Sequence, residues 1–162
     1  MDRAIELLKS IVAIDSVNPS LVPGASGEVA VARALAEHMR AMGLTVHVQE
    51  AAPGRPNVVG VLDGRRPGRS LMFCGHVDTV GVSGMARPFD PVERDGRVYG
   101  RGSQDMKSGV AACACAWSAS VVSPADTIRA WTAQRNECVG VIGGLISSGS
   151  SRWPAGRWSR PS

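Results

Sequence analysis

The spacing of apolar residues predicts two amphipathic helices at the start of the chain. The first begins after Asp2, whose carboxylate can accept hydrogen bonds from the free amides of the first turn. The second is expected over residues 27–42, and Gly43 ends it because glycine readily adopts the left-handed conformation that follows many helices. The apolar positions that define the two faces are Ile5, Leu8, Ile11, Val12, Val31, Leu35 and Met39.

Three further segments predict strands. Residues 44–49 alternate between apolar and polar, and residues 57–62 are rich in β-branched side chains. Residues 70–74 form a short apolar run, which is typical of a strand whose two sheet faces are both covered by helices. This third strand leads directly to His76 and Asp78.

The second half of the chain carries a hairpin signal. Asp95-Gly96 lies between two short β-prone segments and favours a tight two-residue turn. The hairpin leads into a glycine-rich turn that precedes Asp105. The remaining predicted elements are a helix over residues 107–119, a strand over residues 127–133, a helix from Val139 and a disordered tail over residues 151–162.

Helices that alternate with strands indicate an α/β fold in which helices wrap a mainly parallel sheet. In such sheets, binding sites form beyond the carboxyl ends of the strands. We expect His76, Asp78 and Asp105 at that edge. The length of 162 residues suits one domain with its own hydrophobic core.

The composition is that of a globular protein, with 44% hydrophobic and 20% charged residues. We expect a cytoplasmic protein without a membrane partner, because no apolar run suits a membrane helix and the N-terminus lacks a signal-peptide layout. The four cysteines include no CxxC pair and are expected to be reduced thiols. The net charge of +4 comes mostly from the residues after Gly109, which include five arginines but only two acidic residues, Asp126 and Glu137. The residues up to Gly109 are therefore nearly neutral.

His76, Asp78 and Asp105 have the chemistry of a metal site. A histidine ligates through one ring nitrogen when the other is held as a donor, and a carboxylate holds it well. His76 and Asp78 are two residues apart, so in an extended segment their side chains share a face. Asp105 follows a flexible turn and offers a hard oxygen ligand of the kind that can bridge two cations. The competing interpretation is a hydrogen-bonded or surface histidine without a metal.

The segments around these residues resemble two signature motifs of a known enzyme family. They read GHVDT at residues 75–79 and GRGSQDMK at residues 100–107, and the SVNP loop at residues 16–19 precedes them in the family's order. Residues 1–112 are therefore similar to the N-terminal part of the catalytic domain of a zinc-peptidase-like family. That family comprises the zinc-dependent amidohydrolases and metallopeptidases related to acetylornithine deacetylase, succinyl-diaminopimelate desuccinylase and carboxypeptidase G.

The resemblance implies a site for two zinc ions, which cobalt can replace. His76 would bind one zinc, Asp105 would bridge both and be followed by a cis peptide bond, and Asp78 would be a catalytic residue that orients His76. In the family the metals activate water and polarise an amide carbonyl, while a glutamate acts as general base. Alignment places Glu137 on that base and Cys138 on a further zinc ligand where the family has glutamate.

The implied activity is hydrolysis of amide bonds in N-acyl amino acids or small peptides. Family members are more than twice as long and add a lid domain and further ligands, so we expect a truncated member with impaired activity. Residues 113–150 are expected to be an altered continuation of the domain, for which a shifted reading frame is one hypothesis. The substrate and the oligomeric state stay open.

Two other classes of function compete with this interpretation. One is a noncatalytic remnant or protein-interaction module that keeps the scaffold. The other is nucleic-acid binding through the Arg- and Trp-bearing tail, which we do not expect because arginines so widely spread are typical of a solvated tail. Glu137 also fits an exposed loop carboxylate, and His38 and His47 are expected to be structural or solvent-facing.

Overall fold

The computed structural model describes residues 3–62, 70–116, 127–133 and 138–143. Most of the predicted elements are confirmed within these ranges, with ends shifted by a few residues. A short irregular helical turn, Ser103–Lys107, leads into the last helix. The elements are α1 Arg3–Val12, α2 Val29–Ala41, β1 Thr45–Ala52, β2 Arg55–Leu62, β3 Ser70–Gly75, β4 Val92–Arg94, β5 Arg97–Tyr99, α3 Ser108–Ala116, β6 Thr127–Ala133 and β7 Cys138–Gly143.

The larger sheet has the strand order β1-β2-β6-β3-β7, and β4 and β5 form a separate hairpin. The prediction of a mainly parallel sheet is not confirmed, because among the described strands β3 and β6 pair parallel while β1–β2, β2–β6, β3–β7 and β6–β7 pair antiparallel. A two-residue connection joins β1 to β2, and such a connection can only return the chain in the opposite direction. The fold is thus a mixed α/β fold.

The hydrophobic core lies between the helices and one face of the sheet. Helices α1 and α3 pack on each other, and α2 packs on β2 and β1. Each fully buried aliphatic side chain contributes roughly 1.5–3 kcal/mol through removal from water. The core includes Leu7, Ile11, Val31, Leu35, Met39, Val58, Val77, Val110 and Ala114.

Strand β3 differs from its prediction in one respect. Phe73 packs against the core, whereas Met72 is 40% exposed and Cys74 is also exposed. Alternate side chains of a strand point to opposite faces, so the described helices cover one face of this strand and not both. An unbroken apolar run does not by itself report how many faces are covered.

The predicted helix from Val139 is wrong, because residues 138–143 form β7. This segment, Cys-Val-Gly-Val-Ile-Gly, is rich in β-branched residues and carries glycine in its interior, and both features disfavour a helix. Residues 117–126, 134–137 and 144–162 lie outside the described ranges. The predicted tail and much of the predicted altered continuation therefore fall on residues that the structure does not describe.

None of the helices in the described ranges combines the length and the apolar character needed to cross a bilayer.

Candidate metal centre

The segment after β3 is held in place by the loop that follows α1. Val17 and Thr79 form a parallel bridge. The backbone amide of Thr79 donates to the carbonyl of Ser16, and the amide of Asn18 donates to the carbonyl of Thr79, both at 2.9 Å. The buried hydroxyl of Ser16 donates to the carbonyl of Val77 at 2.7 Å. The backbone that carries His76 and Asp78 is thus fixed by a short strand-like pairing.

His76 and Asp78 share a face, as predicted. The Nδ1 atom of His76 lies 3.1 Å from Oδ1 of Asp78 and 3.2 Å from the Asp78 carbonyl, so Nδ1 is the nitrogen that donates. The second carboxylate oxygen of Asp78 accepts from the side-chain amide of Asn18 at 2.7 Å. Asp78 therefore fixes the ring of His76 with Nε2 directed away from it.

Asp105 approaches His76 from a distant part of the sequence. Its Oδ1 lies 3.2 Å from Nε2 of His76, and its side chain is 85% exposed. The peptide bond between Asp105 and Met106 is cis, as the resemblance implied. Gly102 begins this turn with φ of +80°, and a Cβ there would lie 2.6 Å from Cγ2 of Thr79. Glycine is required at this position because the turn packs directly on the strand-end segment.

The separation of Nε2 and Oδ1 suits a shared zinc ion. With the usual Zn–N and Zn–O bond lengths and a tetrahedral angle, two ligand atoms stand about 3.4 Å apart. The observed separation between His76 and Asp105 is 3.2 Å. An imidazole nitrogen and a carboxylate oxygen are also the donor types that zinc accepts. The residues present therefore fit this cation.

Lys107 locks the turn of Asp105 onto the end of α1. The side chain is fully buried, and Nζ donates to the carbonyls of Ile11 at 2.8 Å and Ile14 at 3.0 Å. Burial lowers the pKa of Lys107 to about 8, against the opposing effect of Asp15 and Asp78. The sequence predicts Lys107 as the first residue of a helix, and in the structure its side chain reaches back to the end of α1.

The electrostatics of the pair follow from its hydrogen bonds. The hydrogen bond to Asp78 is the largest cause that raises the pKa of His76, to about 9, although burial opposes it. The hydrogen bond from His76 lowers the pKa of Asp78, and the amide of Asn18 acts in the same direction. Asp78 is therefore an anion at neutral pH and holds the proton on Nδ1 of His76.

A cleft of about 1070 Å³ opens in front of these side chains. At its rim the guanidinium of Arg55 pairs with the buried carboxylate of Glu28 at 2.8 Å and donates to the hydroxyl of Ser20 at 3.2 Å. The cleft has room for a small molecule next to His76. It is lined by Asn18, Leu21, His76, Asp78, Arg101 and residues 102–106, among others.

The other two predicted site residues are not placed by the described structure. Glu137 lies outside the described residues, and Cys138 opens β7 with its backbone alone described. Within residues 3–62 and 70–116 and the two described strands after them, no group of three or more His, Cys, Asp or Glu side chains converges. His76 and Asp105 are a pair, and the roles of Glu137 and Cys138 stay predictions.

Sequence reasoning missed two residues of this site. Asn18 touches Asp78, and Lys107 holds the turn of Asp105. Asn18 belongs to the SVNP loop, which contributed to the family resemblance, but no periodicity in the sequence indicates its contact with Asp78. Lys107 is the last residue of the second motif, and its burial was not predicted because lysine is almost never fully buried unless it is paired. His38 bonds to Ser10 and His47 is exposed, as expected.

Comparison with known proteins identifies relatives that match about two-thirds of the chain. Residues 72–133 match the sequence profile of peptidase family M20/M25/M40. The succinyl-diaminopimelate desuccinylase of Variovorax paradoxus is 31% identical over 121 residues, which is 69% of this chain and 29% of that protein. The N-formyl-4-amino-5-aminomethyl-2-methylpyrimidine deformylase of Bacillus subtilis is 31% identical over 116 residues, 68% of this chain and 26% of that protein.

A solved structure has a similar fold. The crystal structure of human carnosine dipeptidase 1 superposes with a TM-score of 0.52 and 28% sequence identity, covering 72% of this chain and 28% of that one. The chain thus spans less than a third of the length of these relatives.

Proposed function

Because this chain belongs to peptidase family M20/M25/M40, we propose that it carries the N-terminal metal-binding part of an amidohydrolase that cleaves N-acyl amino acids or small peptides. The observation that supports this most directly is the approach of Nε2 of His76 to Oδ1 of Asp105 at 3.2 Å. Relatives named as a desuccinylase, a deformylase and a dipeptidase indicate the same kind of reaction.

In this proposal His76 and Asp105 would hold zinc, and Asp105 would be the ligand that two ions share. Zinc supplies Lewis-acid activation of water and of the amide carbonyl. Asp78 keeps the proton on Nδ1 of His76, so that Nε2 is presented as the ligand. Glu137 would accept the proton of the attacking water, and Cys138 would be a further ligand.

His76 and Asp105 are the two candidate ligands among the described side chains. With these two as its main ligands, the 162-residue chain is expected to bind metal weakly and to hydrolyse substrate slowly. A catalytic zinc usually has three protein ligands. The side chain of Asp105 is 85% exposed, so solvent would compete for the cation and weaken the electrostatic stabilisation of the transition state. We propose impaired activity on this basis.

Cobalt binding tests the metal site. Paramagnetic Co²⁺, added to the full chain, is expected to broaden the imidazole NMR signals of His76 before those of His38 and His47. His76→Ala and Asp105→Ala are both expected to weaken cobalt binding. His47→Ala is the matched control, because His47 is an exposed histidine on β1.

The outcomes separate the parts of the proposal. Cobalt affinity that is unchanged in His76→Ala, or broadening of the His76 signals that is unchanged in Asp105→Ala, would refute the metal site. Rapid, zinc-dependent release of the free amino acid from N-acetyl or N-succinyl amino acids would refute the proposed impairment and support the hydrolase. Cobalt binding at His76 with no hydrolysis at all would favour the noncatalytic scaffold.

A further inference from the structure

We propose that Asn18 is a positioning residue for the metal ligand His76 and acts on it through Asp78. This inference rests on the proposed function for its consequence in metal binding. Asn18 lies in the loop between α1 and α2, sixty positions before Asp78, whose carboxylate it contacts. It reaches the site because the loop pairs with the segment after β3.

The carboxylate of Asp78 is held at both of its oxygens. Oδ1 faces Nδ1 of His76 at 3.1 Å, and Oδ2 accepts from Nδ2 of Asn18 at 2.7 Å. A carboxylate bonded through one oxygen can still rotate about its χ2 torsion, which is broad and roughly two-fold. The second bond removes this freedom. The orientation of the imidazole therefore depends on a side chain that does not touch it.

Asn18 is itself rigidly placed. Its Oδ1 accepts from the backbone amide of Ser20 at 2.8 Å, and its own backbone amide donates to the carbonyl of Thr79 at 2.9 Å. Its carbonyl accepts from the amides of Leu21 and Val22, both at 3.0 Å. Every polar group of this residue is engaged, so Nδ2 is presented to Asp78 in one position.

The two roles of Asn18 require both the oxygen and the nitrogen of its side-chain amide. The oxygen stabilises the loop by an Asx turn, and the nitrogen donates to Asp78. Serine can replace the oxygen of such a turn but is too short to replace the nitrogen. Aspartate has the same shape and keeps the oxygen but has no donor. These two substitutions therefore separate the role in the loop from the role in positioning.

The first measurement needs no metal. In the full chain, the Nδ1 proton of His76 is expected to give a downfield NMR signal that exchanges slowly with water because Asp78 accepts it, and His76→Ala assigns it. Asn18→Ser is expected to accelerate this exchange roughly tenfold while circular dichroism stays unchanged. The control is Ser26→Ala, which breaks the 2.7 Å bond from Ser26 to Asp15 in the same loop.

The second measurement uses cobalt alone. Loss of a group that orients a ligand typically weakens metal binding about 10–100-fold, and Asn18 acts one step further out, so we expect Asn18→Ser to weaken Co²⁺ binding about 3–10-fold. Ser26→Ala should leave it unchanged. If Asn18→Ser does not fold, Asn18→Asp is measured by proton exchange, where faster exchange supports the inference and unchanged exchange refutes it.

The two proposals fail in different ways. Slow proton exchange that is equal in wild type and Asn18→Ser, with cobalt still bound at His76, would refute the role of Asn18 and leave the proposed function intact. Exchange that accelerates in Asn18→Ser, in a chain that binds no cobalt at His76, would refute the proposed function and support the positioning. A wild-type chain with no slowly exchanging proton from His76 would refute the positioning outright.

Discussion

The two carboxylates that flank His76 lie in opposite environments. Asp78 is 21% exposed and engages His76 and Asn18 through its two oxygens, whereas Asp105 is 85% exposed and meets His76 from a turn. Asp78 is therefore part of the folded framework and Asp105 is presented to solvent. A carboxylate that orients a histidine must be fixed in advance, whereas a carboxylate that is proposed to bind a cation can remain accessible.

The turn that carries Asp105 is nevertheless fixed at its ends. Gly102 packs against Thr79 at its start, and Lys107 is buried at its end. The turn is thus held in place by Gly102 and Lys107 and not by the side chain of Asp105.

Lys107→Met should have the largest effect. It leaves the carbonyls of Ile11 and Ile14 without their donor, and we expect a loss of about 3 kcal/mol in the free energy of unfolding. Urea denaturation at neutral pH measures it. Lys9→Met is the control, because Lys9 is partly exposed, makes one 3.4 Å ion pair with Glu93 and should change stability by less than about 0.5 kcal/mol. Equal losses in the two variants would contradict the structural role of Lys107.

Gly102→Ala should come next. The substitution combines a left-handed backbone with a Cβ 2.6 Å from Thr79, and we expect a loss of about 2 kcal/mol. At Gly84, φ is +79° but a Cβ would meet nothing within 4 Å, so Gly84→Ala isolates the backbone cost of about 1 kcal/mol. Thermal or urea unfolding measures both. The prediction is wrong if the two variants lose the same amount.

Asp78→Asn should cost about 1.5 kcal/mol without metal, and the loss should depend on pH. The pKa of His76 is raised from 6.5 to about 9 on folding, so its stabilisation is fully present below about 6.5 and is lost as pH rises through about 9. The pKa of Asp78 is lowered from 3.8, so its stabilisation is lost as pH falls below that value.

The deficit of Asp78→Asn should therefore be largest between about pH 4 and 6.5 and smaller above about pH 9. Urea denaturation of wild type and variant, with a chelator present, at one pH in each range measures the difference. A deficit that is equal in the two ranges would show that the pair does not interact as the structure describes.

Asp105→Asn should have the smallest effect on folding. Because the side chain of Asp105 is exposed, we expect this substitution to change the free energy of unfolding by less than about 0.5 kcal/mol. The comparison with Asp78→Asn in the same denaturation experiment is the direct test of the contrast. A loss as large as that of Asp78→Asn would mean that Asp105 belongs to the fixed framework.

Much of the fold could be predicted from local patterns. The helical spacing of Val31, Leu35 and Met39 gave a helix that the structure contains, and Asp95-Gly96 gave its hairpin. The strand directions and the single covered face of β3 could not be predicted, because they depend on pairing between distant segments. The error at Val139 has the same cause, since a short apolar segment fits a helix or a strand until its partners are known.

For the candidate site, the shared face of His76 and Asp78 could be predicted from their spacing, because alternation along an extended backbone is a local property. Motif resemblance added Asp105. Only the tertiary structure brought Asn18 to Asp78 and Lys107 to the end of α1, because such contacts join residues sixty to almost a hundred positions apart. No local pattern encodes them, since loop closure and packing decide which distant polar groups meet.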